Sequence, residues 1–280
     1  MKQAVSFEDL QEFESNFEGN RANRIAMNAA TANGVIKAAT NPLVFGNVRH
    51  NFSINLEQGD ITNQKQSGRC WMFSALNTMR YRIIKKLNLK TFELSQSYPL
   101  FYDKLEKSNY LLESILETME EETDGRLISF LLAAPLNDGG QWDMFVNLVN
   151  KYGVVPKYAM PETANSENTR EMDGYLTKLL RQYACDLREE YRAGKSPEDL
   201  RTKEKEYMGN IYNALCICLG VPPKTFDFEV RDEDKKYLCD RNLTPVKFFE
   251  KYVDMNPEDY ISLINAPTSD KPYHRTYTVS

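Results

Sequence analysis

The spacing of apolar positions along the chain predicts a largely helical protein. In the clearest stretch, apolar residues recur every three or four positions, the period of one helix face: Met72, Leu76, Met79, Ile83 and Leu87. A polar turn, Gln66–Arg69, comes directly before this stripe. The pattern therefore predicts a helix that begins at or near Cys70.

The N-terminal segment, from residue 1 to about residue 40, also has a helical pattern. Ser6 and Asp9 have the spacing of a capping box, in which side chain and backbone exchange hydrogen bonds at a helix start. Apolar residues follow at helical spacing: Phe7, Leu10, Phe13 and Phe17. Residues 46–63 are polar and lack this period, which predicts extended chain and loop.

Further helices are predicted on both sides of a strong loop signal at Asn137–Gly140. One follows Ser95–Tyr98 and runs through about residue 118, and a short one carries Trp142 and ends at Gly153. A long helical pair covers about 168 to 220, and its second helix begins at Ser196–Pro197, a good N-cap and first-turn pair. Two later signals complete the pattern: a short helix from Thr244–Pro245 and a strand over residues 260–264.

Composition and charge narrow the class of protein. The 280 residues are 41% hydrophobic and 27% charged, enough for a sizeable core. A net charge of −5 argues against a nucleic-acid partner. The start has no apolar signal region, so a secretory signal is not expected. No apolar run approaches the length of a membrane span, so a membrane-spanning segment is not expected. Five cysteines form an odd set, which favours a reducing cytoplasm over a disulfide framework.

The candidate chemistry lies in the segment Gln64–Ser74. A cysteine nucleophile reacts as the thiolate, which a helix N-terminus and a nearby imidazolium favour. The glycine before Cys70 gives a substrate backbone room to reach the sulfur. Gln64, six residues upstream, can offer its side-chain amide to a developing oxyanion beside the backbone N–H of Cys70. The segment therefore indicates a thiol-dependent acyl transfer.

Each of these residues also has a purely structural interpretation. A free cysteine is usually a small buried hydrophobe, but the upstream glutamine, the glycine turn and Trp71 argue against that for Cys70. Gln64 could be a solvated loop residue, with Gln66 taking its role. The pair Gly139–Gly140 could be a plain turn. Cys216 and Cys218 lack partners at metal-ligand spacing and lie in an apolar helix, so core positions are expected and no metal is predicted.

The segment from Gln64 to Trp71 resembles the nucleophile motif of papain-like cysteine peptidases. Within that superfamily, Gln66–Phe73 is more similar to the aminopeptidase C and bleomycin hydrolase family than to secreted cathepsins. The segment Asn137–Met144 is similar to the family's paired-glycine segment, which lines the substrate cleft through Gly139 and Gly140. Three shorter segments resemble the same family: residues 154–156, 160–163 and 263–267. The resemblance runs from about residue 5 to the end of the chain.

The resemblance implies a papain-like α+β fold with an inserted helical subdomain and a β-rich lobe that is largely missing. It divides the chain into an N-terminal helical arm (1–55), a helical lobe with the nucleophile (56–167), a helical insertion (168–245) and the start of the β-rich lobe (246–280). It further implies a cytosolic cysteine aminopeptidase that acts on peptides, needs no cofactor and assembles as a homo-oligomer, a hexamer in this family.

The chain departs from the family pattern in its histidines. Papain-like catalysis needs a histidine as general base and an asparagine that orients it. The two histidines are His50, in a polar loop before the nucleophile, and His274, which no asparagine segment of the family's kind follows. Family members are longer, so we expect this chain to correspond to an N-terminal portion of such an enzyme. The histidine base is then expected in the portion that is absent here, and this chain alone is expected to be inactive. Two alternatives stay open: His274 as base, and a non-catalytic relative that binds peptides or partners.

Overall fold

The computed structural model of the chain describes residues 4–49, 51–56, 59–260 and 268–275. Contacts divide the chain into two compact units, Met1–Asn55 and Leu56–Ser280. The predicted boundaries at residues 167 and 245 do not coincide with a division into units and stay predictions. In the part of the chain that is described, no helix has the length and apolar character to traverse a lipid bilayer.

The first unit is helical, as its sequence pattern predicts. It contains α1 (Phe7–Gly19), α2 (Arg21–Asn33), α3 (Val35–Ala39) and α4 (Pro42–Phe45). The capping box is confirmed, because the Asp9 N–H donates to Ser6 Oγ at 3.1 Å and the Ser6 N–H donates to Asp9 Oδ2 at 2.8 Å. The stretch is broken where Asn20 caps a second helix and where Gly34 takes a φ of 80°.

The core of the second unit is built on α5 (Cys70–Lys86), which begins at the predicted residue. The predicted stripe is buried at four of its five positions: Met72, Leu76, Met79 and Ile83. Leu87 follows the last helical residue and is half-buried. Lys85 and Lys86 occupy the last turn, where the helix dipole favours positive charge.

Three helices follow α5: α6 (Ser97–Glu117), α7 (Arg126–Ala133) and α8 (Trp142–Tyr152). α8 packs against α5 and α6 and ends at Gly153, as predicted. Gly153 has a φ of 73°, and a Cβ there would lie 2.3 Å from the carbonyl carbon of Pro245. Both the backbone angle and the close approach therefore require glycine at this position.

The predicted helical pair is present as α10 (Arg170–Arg192) and α11 (Pro197–Leu219), after the short α9 (Ala164–Glu167). The two long helices pack against each other and against α6, and the Tyr183 and Tyr207 rings stack with centroids 3.8 Å apart. Ser196 caps α11, and Pro197 is its first residue, as predicted. The pair is thus packed onto α6 within the second unit.

The end of the predicted helical insertion is not helical, which corrects the expectation for residues 168–245. Strands β1 (Phe226–Arg231) and β2 (Tyr237–Leu243) form an antiparallel hairpin with a bulge between Phe226 and Phe228. Phe228 is fully buried against the ring of Phe248 at 4.9 Å. The hairpin forms because apolar side chains alternate with charged ones along β1, the period of a strand with one buried face.

The short helix predicted after the hairpin is confirmed as α12 (Pro245–Phe248), with the Lys247 N–H donating to Thr244 Oγ1. A π-helical turn continues it over Phe249–Val253, and single 3-10 turns occupy Lys157–Ala159 and Pro257–Asp259. The predicted strand over 260–264 lies outside the described residues, except for Tyr260. The architecture is therefore a helical α+β fold with one small sheet in its described part.

Candidate active site

Cys70 is the first residue of α5, and its thiol is exposed. The N-cap residue Arg69 makes no side-chain cap hydrogen bond, and the first turn carries no acidic residue. Backbone N–H groups at a helix N-terminus have no partner within the helix and carry partial positive charge. This position therefore suits a thiolate nucleophile.

Arg69, directly before the nucleophile, is fully buried and ion-paired. Its two terminal nitrogens donate to the Glu162 carboxylate at 3.2 and 2.8 Å, and its Nε donates to Ser67 Oγ at 2.8 Å. Ser166 Oγ donates to the same carboxylate at 2.7 Å. A bidentate arginine–carboxylate pair has a defined geometry, so this network fixes the chain just before Cys70.

The two candidate glutamines are placed differently. The Gln66 N–H donates to the Glu167 carbonyl at 2.9 Å, and its side-chain oxygen accepts from Asn168 Nδ2 at 3.0 Å. The Gln64 carbonyl accepts from Ser67 Oγ at 2.7 Å, whereas its side-chain amide has no hydrogen-bond partner among the described residues. The side-chain N–H groups of both glutamines have no acceptor among the described residues, so the two differ only in that Asn168 anchors the side-chain oxygen of Gln66. The oxyanion role of Gln64 stays a prediction.

The two candidate glycines differ in what surrounds them. A Cβ on Gly140 would lie 2.5 Å from the Trp71 ring, so the close approach of the two segments requires glycine there. A Cβ on Gly139 would meet nothing nearer than Asn137 Oδ1 at 3.8 Å, and the Gly139 carbonyl accepts from Lys107 Nζ at 2.9 Å. The predicted contact of both glycines with substrate remains a prediction.

Asp138 joins the glycine segment to the nucleophile segment, and sequence reasoning did not single it out. Its Oδ2 accepts from the Gly68 N–H at 2.7 Å and from Thr169 Oγ1 at 2.6 Å, and its Oδ1 accepts from Lys104 at 2.7 Å. Its backbone carbonyl accepts from Trp71 Nε1 at 2.7 Å. Burial favours a neutral Asp138, but the Lys104 charge and these hydrogen bonds outweigh it and hold the pKa well below its usual range.

A group of charges lies behind Asp138, centred on the fully buried Lys104. Lys104 Nζ also lies 2.9 Å from Asp173, so one ammonium serves two carboxylates. The pKa of Asp173 is raised to about 7, mainly by burial and also by the nearby Asp138 charge, against the attraction of Lys104. Burial likewise raises the pKa of Asp103 to about 6, although Lys107 lies 2.9 Å from its carboxylate.

No imidazole contacts Cys70 among the described residues. His50 lies outside them. His274 is exposed and packs its ring beside Tyr273, with centroids 6.5 Å apart. The described residues therefore place an exposed cysteine at the start of α5, after a fixed approach loop that carries Gln64, and no described contact joins His274 to the sulfur.

The other four cysteines have different surroundings. Cys185 and Cys239 are exposed, while Cys216 and Cys218 are half-buried on α11. Burial and a hydrogen bond to Glu189 raise the pKa of the Cys185 thiol, and burial raises that of Cys218. Within the described ranges, no group of three His, Cys, Asp or Glu side chains is placed to hold a metal ion.

One sequence signal pointed toward the missed residues. Lys104 lies on the same helix face as Phe101, Ser108 and Leu111, at spacings of three, four and three residues, and all four are buried. A lysine on an apolar helix face needs an anionic partner when it is buried. The partner could not be named from the spacing, because Asp138 lies 34 residues away along the chain.

Known proteins are similar to this chain in sequence and in fold. The profile of the Peptidase C1-like family matches residues 4–280. Aminopeptidase C of Lactobacillus delbrueckii subsp. lactis is 46% identical over 100% of this chain and 62% of its own length. Aminopeptidase C of Listeria monocytogenes is 44% identical over 100% of this chain and 63% of its own. The crystal structure of PepW from Lactobacillus rhamnosis HN001 superposes with a TM-score of 0.89 at 46% identity, covering 98% of this chain and 61% of that one.

These comparisons confirm the resemblance on which the sequence interpretation rests. The matches run along nearly the whole chain and include the nucleophile segment and the helical pair. The chain spans about 62% of the length of the curated relatives it matches.

Proposed function

The chain belongs to the Peptidase C1-like family, and on that premise we propose that it carries the nucleophile of a cysteine aminopeptidase. The observation that carries the proposal is the exposed Cys70 at an uncapped helix N-terminus, reached by a loop that buried ion pairs hold in place. The aminopeptidase names of the relatives support peptides as the substrate class.

The site geometry suits acyl transfer from a peptide bond to sulfur. The Cys70 thiolate attacks the scissile carbonyl carbon, and the carbonyl π electrons move onto oxygen. The Cys70 N–H and the Gln64 side-chain amide donate to that oxyanion. Collapse expels the leaving amine, which takes up a proton, and leaves an acyl-enzyme at Cys70. Water then attacks this thioester and releases the acid product and the thiol.

This sequence of steps needs a base that accepts the thiol proton and returns it to the leaving amine. We propose that a histidine in the part of the relatives' length that this chain does not span supplies it. The chain alone is then expected to hydrolyse substrate negligibly, because removing one member of a catalytic unit costs several orders of magnitude in rate. His274 is the rival candidate.

Assembly and location are further parts of the proposal. The two long helices α10 and α11 bury apolar stripes within the lobe and carry charged outer faces. A polar interface on those faces would allow a homo-oligomer, with the hexamer as the expected state. Light scattering on a full-length protein tests this, and a strict monomer contradicts it. Five unpaired cysteines support a reducing cytoplasm.

A chimera tests the catalytic proposal. The 280-residue chain is joined to the part of aminopeptidase C from Lactobacillus delbrueckii that it does not match, and hydrolysis of an aminoacyl-aminomethylcoumarin is measured. We expect activity in the chimera and none above background in the chain alone. Cys70→Ala should abolish the activity, and Gln64→Ala should lower kcat by about a hundredfold, as for a typical oxyanion donor.

Two outcomes would contradict this proposal. If the chain alone turns over substrate and His274→Ala abolishes that turnover, His274 is the base. If a folded chimera has no activity although its Cys70 reacts with iodoacetamide, the non-catalytic peptide-binding alternative is favoured. Gln66→Ala is the matched control, because the Gln66 side chain is already bound to Asn168, and it should change kcat far less than Gln64→Ala.

A further inference from the structure

Asp138 contacts the chain on both sides of Cys70. Its carboxylate accepts the N–H of Gly68, two residues before the nucleophile, at 2.7 Å. Its backbone carbonyl accepts the indole N–H of Trp71, one residue after the nucleophile, at 2.7 Å. A single residue from a distant segment thus contacts residues on both sides of Cys70 in the sequence.

Buried partners fix the Asp138 carboxylate in turn. Lys104, with a fully buried side chain, donates to Oδ1 at 2.7 Å. Thr169 Oγ1 donates to Oδ2 at 2.6 Å. Thr169 is the N-cap residue of α10 but makes no cap hydrogen bond within that helix. Its hydroxyl therefore contacts Asp138 instead of stabilising its own helix start.

We propose that Asp138 is the positioning residue of the nucleophile, holding the turn before Cys70 and the indole after it at a fixed distance. Its importance for turnover rests on the proposed function, whereas the hold on the loop does not. The loop needs such a partner because α5 has no capping side chain at its own N-terminus. The ionised carboxylate provides charge-assisted hydrogen bonds, which are about twice as strong as neutral ones.

The direct test is a comparison of Asp138→Asn with Asp173→Asn in the 280-residue chain. Both aspartates lie within 2.9 Å of Lys104 Nζ, but only Asp138 has hydrogen bonds to the nucleophile segment. The readout is hydrogen exchange of the Gly68 amide, followed by NMR. We expect Asp138→Asn to speed this exchange about fivefold, because it turns a charge-assisted bond into a neutral one. Asp173→Asn should leave it unchanged.

Reactivity of the nucleophile provides a second readout. Iodoacetamide labelling of Cys70 is measured relative to the exposed Cys239 in the same molecule. A loosened first turn of α5 makes Cys70 more like an ordinary exposed thiol, so Asp138→Asn should lower the ratio severalfold. In an active chimera the same change should lower kcat more than it changes KM, because the loop acts on the reacting atoms.

The outcomes separate this inference from the proposed function. Unchanged Gly68 exchange in a folded Asp138→Asn variant overturns the inference, whether or not the chimera is active. Equal effects of Asp138→Asn and Asp173→Asn also overturn it, because they indicate a general role of the buried charges. If Asp138→Asn fails to fold, Thr169→Val replaces it. That variant removes one fixing hydroxyl and should speed Gly68 exchange about twofold to threefold.

Discussion

The N-termini of α5 and α11 solve the same electrostatic problem in opposite ways. α11 has the local solution: Ser196 accepts from the Asp199 N–H at 3.1 Å, and acidic residues occupy the first turn. α5 has no capping side chain and no first-turn acid, and an exposed thiol occupies its first position. The start of α11 is satisfied by its own sequence, and the start of α5 is left open to a ligand or a reacting anion.

The comparison shows where the stability of a reactive site comes from. Without a local cap, the approach to α5 depends on partners that lie far away along the chain. Arg69 pairs with Glu162, 93 residues away, and Gly68 pairs with Asp138, 70 residues away. The site can thus remain open at its surface because buried charges hold the residues beside it.

Breaking the distant support of α5 should have the largest effect. Glu162→Ala leaves the fully buried Arg69 without its carboxylate, which should lower the free energy of unfolding by about 3–5 kcal/mol in urea denaturation. Glu167→Ala is the matched control. Glu167 is exposed and contacts Gln66 through its backbone, so the change should stay within about 0.5 kcal/mol. Equally small losses of unfolding free energy in Glu162→Ala and Glu167→Ala would show that the Arg69–Glu162 ion pair does not stabilise this region.

Closing the space between the two site segments should cost less. Gly140→Ala places a methyl group where the Trp71 ring lies, which should destabilise by about 1–3 kcal/mol and alter the tryptophan fluorescence. Gly139→Ala meets no close atom and should be near neutral. Indistinguishable unfolding curves for the two variants would contradict the described contact between Gly140 and Trp71.

The buried charges should make stability depend on pH. The pKa of Asp173 in the folded chain is raised to about 7, so between about pH 4 and pH 7 the folded state holds a proton that the unfolded state has released. Stability from this group therefore falls as pH rises through that window, by at most about 1.4 kcal/mol per pH unit. The free energy of unfolding of the unsubstituted chain should fall from pH 4 to pH 7 relative to that of the Asp173→Asn variant. A difference between the two free energies of unfolding that stays constant over this pH range would contradict the raised pKa of Asp173.

Removing the local cap of α11 should have the smallest effect. Ser196→Ala should cost about 1 kcal/mol in the free energy of unfolding, because one backbone N–H at the helix start loses its partner. Labelling of Cys70 by iodoacetamide should not change. If Ser196→Ala altered that labelling, the two helix starts would not be independent.

Local sequence signals predicted the helix starts and missed the long-range contacts. The stripe from Met72 to Ile83 located the beginning of α5, and Ser196–Pro197 located that of α11. Both depend on residues within one or two turns. The Arg69–Glu162 pair and the Asp138 contacts depend on the tertiary fold, so no local pattern could supply them.

The hairpin β1–β2 was missed for a different reason. Phe226, Phe228 and Val230 alternate with charged residues, which is a strand signal that the helical context of residues 168–220 obscured. The glycine pair was chosen from resemblance, but the surrounding atoms require glycine only at Gly140. Asp138, a charged residue beside the glycine pair, makes the contacts to the nucleophile segment that the motif alone did not predict.

The most direct measurement of the central claim is competition among the five cysteines of the folded chain. Limiting iodoacetamide is added, and the labelled sites are mapped by mass spectrometry. The account predicts that Cys70 reacts first, because it alone combines exposure with an open helix N-terminus. Preferential labelling of Cys185 or Cys239, which are also exposed, would contradict the assignment of Cys70 as the nucleophile.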